Sequence, residues 1–216
     1  MKYELVRSGR RTVCLEAKSG LLVVRAPYLA SRFIIEKFIA EKSEWIEKTL
    51  EKSKIVKKEI RKYESGEKYL YLGEYKKLEI ENAGEIRVCD GSILVPAENE
   101  VEIKTKLRKF YKAETARLVK KYVSRYSDKF NIDSPKITYK FYKSKWGSCS
   151  AKNDFSFNAL LSMASEKAVK YVVIHELVHA KVKNHSKKFW YEIEKFDPNY
   201  KIQRKWLREN HHKMSL

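Results

Sequence analysis

The chain has 216 residues, 43% of them hydrophobic and including 14 Tyr, 9 Phe and 4 Trp, so it can bury a real core and is not a disordered polyelectrolyte. No apolar run approaches the ~18–20 residues of a membrane span, and Met1–Leu5 carries no apolar leader region, so a cytoplasmic chain with no membrane partner is expected. The formal charge of +19 is uneven: residues 1–100 carry 20 basic and 17 acidic side chains, residues 101–216 carry 27 and 11.

Residues 2–27 read as strands. Tyr3–Arg7 and Thr12–Glu16 flank the turn Ser8-Gly9-Arg10. A second turn, Lys18-Ser19-Gly20, leads to Leu21–Arg25, and Pro27 ends that strand. Residues 31–53 read as one helix, because Phe33, Ile34, Phe38, Trp45, Ile46 and Leu50 recur at steps of about three and four. Lys52 to Arg61 is highly charged and either extends that helix or forms a linker. Tyr69–Leu72 and Tyr75–Ile80 read as a hairpin turning at Gly73-Glu74. Glu85–Val88 and Ser92–Val95 flank Asp90-Gly91, the strongest hairpin signal in the chain. Pro96–Glu100 reads as a boundary, giving a strand-rich region over 1–100 and a second domain over 101–216.

From Val101 to about Phe130 a long amphipathic helix is expected, its apolar face made by Leu107, Phe110, Tyr111, Leu118, Val119 and Tyr122. Ile137–Lys143 reads as a strand, Trp146–Ser150 as a compact loop and Asp154–Leu161 as a second strand. Ser165 is placed to cap a helix over Lys167–Val182. Ser186 is placed to start another over Lys187–Phe196, and Tyr200–Asn210 reads as the last helix. His211 and His212 fall in a polar tail and read as surface residues.

The helix over 167–182 carries the chemistry. His175-Glu176-Leu177-Val178-His179 is an H-E-x-x-H pattern, with His185 six residues beyond. Residues four apart share a helix face, so His175 and His179 can grip one metal ion together. Glu176 is offset by about 100°, where it borders the metal without ligating it and can act as general base toward a water. A catalytic zinc needs three protein ligands and an open position. His185 supplies the third if the helix stops and the chain turns back, for which Asn184 offers a residue tolerant of left-handed backbone. The alternative, histidines with a purely structural role, leaves two His and a Glu on an apolar helix with nothing to compensate their burial.

Cys14, Cys89 and Cys149 are odd in number and widely spaced, which suits reduced thiols rather than a disulfide framework. Cys149 is expected to be a structural thiol, since a fourth protein ligand would close the zinc's open position. Phe189-Trp190 either walls the site from below or packs in the core. The excess positive charge of residues 101–216 suits an anionic substrate or a nucleic acid, and equally a solvated lysine-rich surface.

From Tyr142 onward the chain resembles the YgjP-like metallopeptidase domain family of zincins. The matching pieces are Trp146-Gly147-Ser148-Cys149-Ser150, Asn158 with Leu160, Tyr171–His179, Asn184–Trp190, Pro198 and Trp206-Leu207. Arg25-Ala26-Pro27 and Trp45-Ile46 match more weakly. The resemblance implies an α+β fold: a minimal zincin core, with a small sheet packed on the H-E-x-x-H helix, preceded by a strand-rich N-terminal region with one helix. It implies Zn2+ as cofactor, His175, His179 and His185 as its ligands, and Glu176 as catalytic base. The family's basic residue before the Trp-Gly-Ser-Cys motif stands here as Lys145. The histidine spacing also equals that of metzincins, but Val182 stands where those have glycine.

The expected activity is metallopeptidase hydrolysis of a peptide or protein substrate, with the 151–160 strand beside the extended substrate and Lys145, Tyr142 or Tyr171 as a second oxyanion donor. Two alternatives accompany it. One is a metal-dependent nucleoside triphosphate (UTP-type) pyrophosphatase, an activity associated with YgjP-like proteins, although the chain shows no glycine-rich phosphate loop. The other is a DNA-associated protease, by analogy with the related Wss1-like and SprT-like zincins.

Overall fold

Two separate apolar clusters organise the chain. The structure, a computed structural model, describes residues 2–18, 20–55 and 61–216. Its contacts divide it into two units, residues 1–60 and 61–216, each with its own core.

In the first unit, β1 (Tyr3–Ser8), β2 (Cys14–Lys18) and β3 (Leu21–Pro27) form a sheet of order β1-β3-β2. Leu22, Val24 and Ala26 alternate onto one buried face of β3. Ile35 of α1 (Arg32–Glu41) and Ile46 of α2 (Ser43–Ile55) join the same cluster. Ser31 caps α1, its hydroxyl accepting from the Ile34 N–H at 3.3 Å. β1 runs parallel to β3 and β2 antiparallel to it. One expectation changes here. The single helix expected over 31–53 is two, broken at Lys42, where the backbone leaves helical angles (φ −109°, ψ 13°). The expected turn at Ser19 and the continuation from Val56 to Ile60 lie outside the described residues.

In the second unit, β4 (Lys68–Tyr71), β5 (Glu74–Glu81), β6 (Arg87–Cys89) and β7 (Ser92–Pro96) form a sheet of order β4-β5-β7-β6. Both expected hairpins form, the first turning one residue earlier than the expected Gly73-Glu74. Leu72-Gly73 turns with φ of 52° and 87°, and Asp90-Gly91 with φ of 43° and 84°, the doubly positive signature of the tight turn that matches strand twist. The helix α3 (Glu100–Tyr126) follows, capped by the Asn99 side chain, which accepts from the Glu102 N–H at 3.0 Å. A single tight turn, Ser127–Phe130, ends it.

The unit boundary falls at Ile60/Arg61 rather than near residue 100. The reason is packing. Leu70, Leu78, Ile93 and Val95 of the sheet lie in the same buried cluster as Ile103, Leu107 and Tyr111 of α3. Two hydrogen bonds join them: the Tyr111 hydroxyl donates to the Leu70 carbonyl at 2.8 Å, and Tyr71 to the Glu114 carboxylate at 2.7 Å.

A third sheet holds β8 (Ile137–Lys140), β9 (Gly147–Cys149) and β10 (Phe155–Asn158) in the order β8-β10-β9. The segment expected as a loop, Trp146–Ser150, therefore contains an edge strand that pairs antiparallel with β10. Three residues are too few to show alternation in a sequence. The sheet packs on α4 (Glu166–Lys181), which Ser165 caps by accepting from the Ala168 N–H at 3.3 Å. After α5 (Lys187–Phe196) and α6 (Tyr200–Asn210), a short turn at His211–Lys213 brings the buried Met214 back onto the core. The fold class is α+β, with a small sheet on the motif helix.

Candidate metal centre

The apolar residues of α4 dictate where its histidines stand. Val169, Val172, Val173, Ile174, Leu177 and Val178 are all buried and fix the helix's rotation. His175 and His179 then project from the side facing α5. The helix ends at Val182, which turns extended (φ −129°, ψ 100°) and reverses the chain. Asn184 does not take the left-handed conformation expected of it; its side chain instead accepts from the Ser186 N–H at 3.3 Å.

The turn brings His185 back. One ring nitrogen each of His175, His179 and His185 lies within 4.8 Å of the others, and the Nε2 atoms of His175 and His185 stand 3.1 Å apart. His179 Nδ1 donates to the Val182 carbonyl at 3.1 Å, which leaves its Nε2 with a free lone pair for a metal. This donor set fits zinc, which takes imidazole nitrogens and keeps a fourth position open in hydrolases. His175 and His179 are half-buried and His185 is exposed, so the convergent point is reachable from solvent.

Aromatic rings hold the imidazoles in place. Phe189 is fully buried, and its ring centroid lies 4.9, 4.5 and 4.6 Å from those of His175, His179 and His185. It is thus both core and floor of the site. Trp190 stacks on His185 at 5.6 Å and on Tyr200 at 5.5 Å; Tyr200 in turn stacks on Tyr171. Burial, then its histidine neighbours and Arg204, push His175 down to about 3, so its imidazole is neutral and able to ligate.

Glu176 is not part of the convergent set. It is 5% exposed, and burial raises its carboxyl to about 8 while Lys145 pulls the other way. Its neighbour across the cleft is Gly147 of β9: a Cβ there would lie 2.5 Å from Oε1 and 2.7 Å from Cγ of Glu176. Gly147 in turn is set by Asn158, whose buried amide donates to the carbonyls of Tyr142 at 2.9 Å and Lys145 at 3.0 Å, and whose oxygen accepts from the Leu160 N–H at 3.1 Å.

The cleft has two lobes that meet at Gly147, His175 and Glu176. One, of about 330 Å³, runs past Ser148, Cys149 and Lys183 to His179 and His185. The other, of about 290 Å³, runs past Trp146 and Tyr171 to Lys145, Arg204 and Arg208. Cys149 borders the first lobe, and burial raises its thiol. It lies outside the three-histidine set. The candidate oxyanion donors separate: Tyr142 is hydrogen-bonded to the Ser156 hydroxyl at 2.6 Å, Tyr171 points its hydroxyl toward His175 Nδ1 at 3.5 Å, and Lys145 lines the cleft.

Two arginines of the cleft carried no sequence signal beyond being four apart on a helix in a region where the other cations are mostly lysine. His211, expected at the surface, is half-buried edge-on to Trp146, with ring centroids 5.1 Å apart, and burial lowers its imidazole. Among the described residues no helix is long and apolar enough to cross a membrane.

Residues 11–210 match the model of the YgjP-like, metallopeptidase domain family, so the match takes in the N-terminal unit as well as the core. No curated protein matches the chain. Among solved structures, the crystal structure of the metallopeptidase zymogen of Pyrococcus abyssi abylysin is similar at 26% identity over 45% of this chain and 99% of that one, with a TM-score of 0.38. With a family match spanning nearly its whole length, and a three-histidine cluster beside a buried glutamate at its centre, the chain belongs to the YgjP-like metallopeptidase domain family.

Proposed function

We propose that this protein is a zinc-dependent peptidase in which His175, His179 and His185 hold the metal and Glu176 is the general base. The observation that carries this reading is the convergence of three imidazole nitrogens within 4.8 Å beside a buried carboxyl that is not one of the set. A zinc ion held there supplies Lewis acidity, polarising the scissile carbonyl and making a nearby water and carboxyl more acidic.

The chain's own residues do the rest. Glu176, ionised beside the cation, accepts the proton of the attacking water at its carboxylate and returns it to the leaving nitrogen. Gly147 lets that carboxylate approach the metal side without a side chain in the way. Lys145 reaches the cleft as a cation able to stabilise the negative oxygen of the addition intermediate. The substrate backbone pairs with the free edge of β9. The β10 segment, first expected in that role, has both edges occupied by β8 and β9 and cannot take a third strand.

The test is cleavage of casein and of a peptide library by zinc-loaded protein, with Glu176→Gln as control. Cleavage that disappears in the variant while zinc stays bound supports the proposal. Release of pyrophosphate from nucleoside triphosphates without peptide cleavage favours a pyrophosphatase, and cleavage that depends on added DNA favours a DNA-associated protease.

A further inference from the structure

The lobe of the cleft on the α6 side carries, besides the oxyanion donor Lys145, two cations that the hydrolytic chemistry does not need. Arg204 and Arg208 lie four apart on α6 and so share a face, and Lys145 comes from the opposite wall, on the segment leading into β9. Among the described residues, no carboxylate lies within ion-pair distance of any of them. Other cations of the same unit do have such partners: Lys106 with Glu102, Arg117 with Glu114, Lys121 with Glu166 and Lys195 with Glu192.

The local packing prepares at least one of these groups. The Arg204 guanidinium lies 4.5 Å from the Trp190 ring centroid, a cation–π contact that anchors it beside the lobe. Val172 and Leu207 add apolar wall to the lobe, while the three cations themselves belong to exposed residues. Three cations and one carboxyl, Glu176, line this lobe, so a positive excess remains for an anion to offset. The lobe's volume of about 290 Å³ is near the lower limit for small-ligand pockets and suits a side chain or chain end more than a whole nucleoside triphosphate.

We propose that Arg204, Arg208 and Lys145 form an anion subsite that seats a carboxylate of the peptide substrate next to Glu176. The carboxylate belongs to an acidic side chain or to the substrate's C-terminus. The proposal rests on the peptidase reading for the identity of the substrate, and its test is read by binding rather than by turnover.

The experiment uses the full-length Glu176→Gln protein loaded with zinc and fluorescein-labelled peptides in matched pairs. One set places Asp or Glu, against Asn or Gln, at each position in turn; the other compares a free with an amidated C-terminus. Fluorescence anisotropy gives Kd at low and physiological salt. The expected result is at least one acidic peptide or free terminus bound on the order of tenfold more tightly than its neutral counterpart, with the preference weakened by salt. The set showing it identifies the carboxylate's source. Arg204→Gln/Arg208→Gln, checked for an unchanged melting temperature, abolishes the preference.

Equal or absent binding of every pair overturns the subsite. So does a preference that survives the double substitution, or competition by a nucleoside triphosphate without any preference among peptides. Failure of the wild-type protein to cleave any peptide defeats the peptidase reading instead, and leaves the anisotropy result to decide the subsite on its own.

Discussion

Gly147 and Glu176 approach so closely that a Cβ at position 147 would stand 2.5 Å from Oε1, 2.7 Å from Cγ and 2.8 Å from Cδ of the glutamate. The backbone of Gly147 is not in the left-handed region, so space and not conformation requires the glycine. Gly147→Ala therefore has to move the carboxyl, and a misplacement of about 1 Å lowers turnover on the order of 10²-fold. The same variant is expected to keep its zinc. Steady-state peptide cleavage with metal content measured on one preparation checks both parts.

Asn158 makes three hydrogen bonds from a site only 2% exposed, and through them fixes the segment from Tyr142 to Lys145 ahead of Gly147. Asn158→Ala leaves two carbonyls and one N–H unpaired. At roughly 1–3 kcal/mol for each buried group stranded, less whatever water recovers, a loss of about 2–4 kcal/mol is expected. Asn158→Asp keeps the acceptor for Leu160 but removes both donors and adds a buried charge, so it does not rescue. Urea unfolding of the three proteins reads the difference.

Phe189 lies under all three imidazoles. Phe189→Ala removes a fully buried ring and is expected to destabilise the protein by about 3–5 kcal/mol. It also frees the imidazoles to rotate, so zinc binds more weakly than in a variant with a cavity in the same core but away from the histidines, such as Leu78→Ala. Competition with a chromogenic chelator compares the two.

The Tyr71–Glu114 hydrogen bond ties β4 to α3 and weakens at both ends of the pH scale. Burial opposes ionisation of Glu114, but hydrogen bonds from Arg117 and Tyr71 outweigh it and hold its carboxyl below the ordinary 4.5. Its contribution is complete above pH 4.5 and disappears as the pH falls through the folded-state value. Burial, with the Glu114 hydrogen bond second, pushes Tyr71 up from 10 to about 12. That contribution is complete below pH 10 and is lost as the pH rises toward 12. Melting temperature against pH is expected to fall off less steeply at the alkaline end in Tyr71→Phe than in the wild type.

The parts of the fold that were legible in the sequence are those set by neighbours in the chain. Asp90-Gly91 demanded positive φ at both positions, and Ser165 and the apolar spacing of 169–178 set the motif helix and its buried side. The three histidines were legible because their spacing is a property of one helix and its exit. What escaped was set by distant residues. The parallel pairing of β1 with β3 leaves no mark in either strand. The role of Gly147 exists only where β9 meets Glu176, and Arg204 and Arg208 become cleft residues only once α6 packs on α4. The core shared by the four-stranded sheet and α3 likewise moved the unit boundary away from the Pro96–Glu100 signal.

Whether three imidazoles hold one zinc is decided by metal content per chain after exhaustive dialysis. Close to one zinc is expected in the wild type and in Glu176→Gln, and little in His175→Ala, His179→Ala or His185→Ala. A His185→Ala protein that retains as much zinc as the wild type, or a wild type that retains none from a zinc-containing buffer, would contradict that expectation.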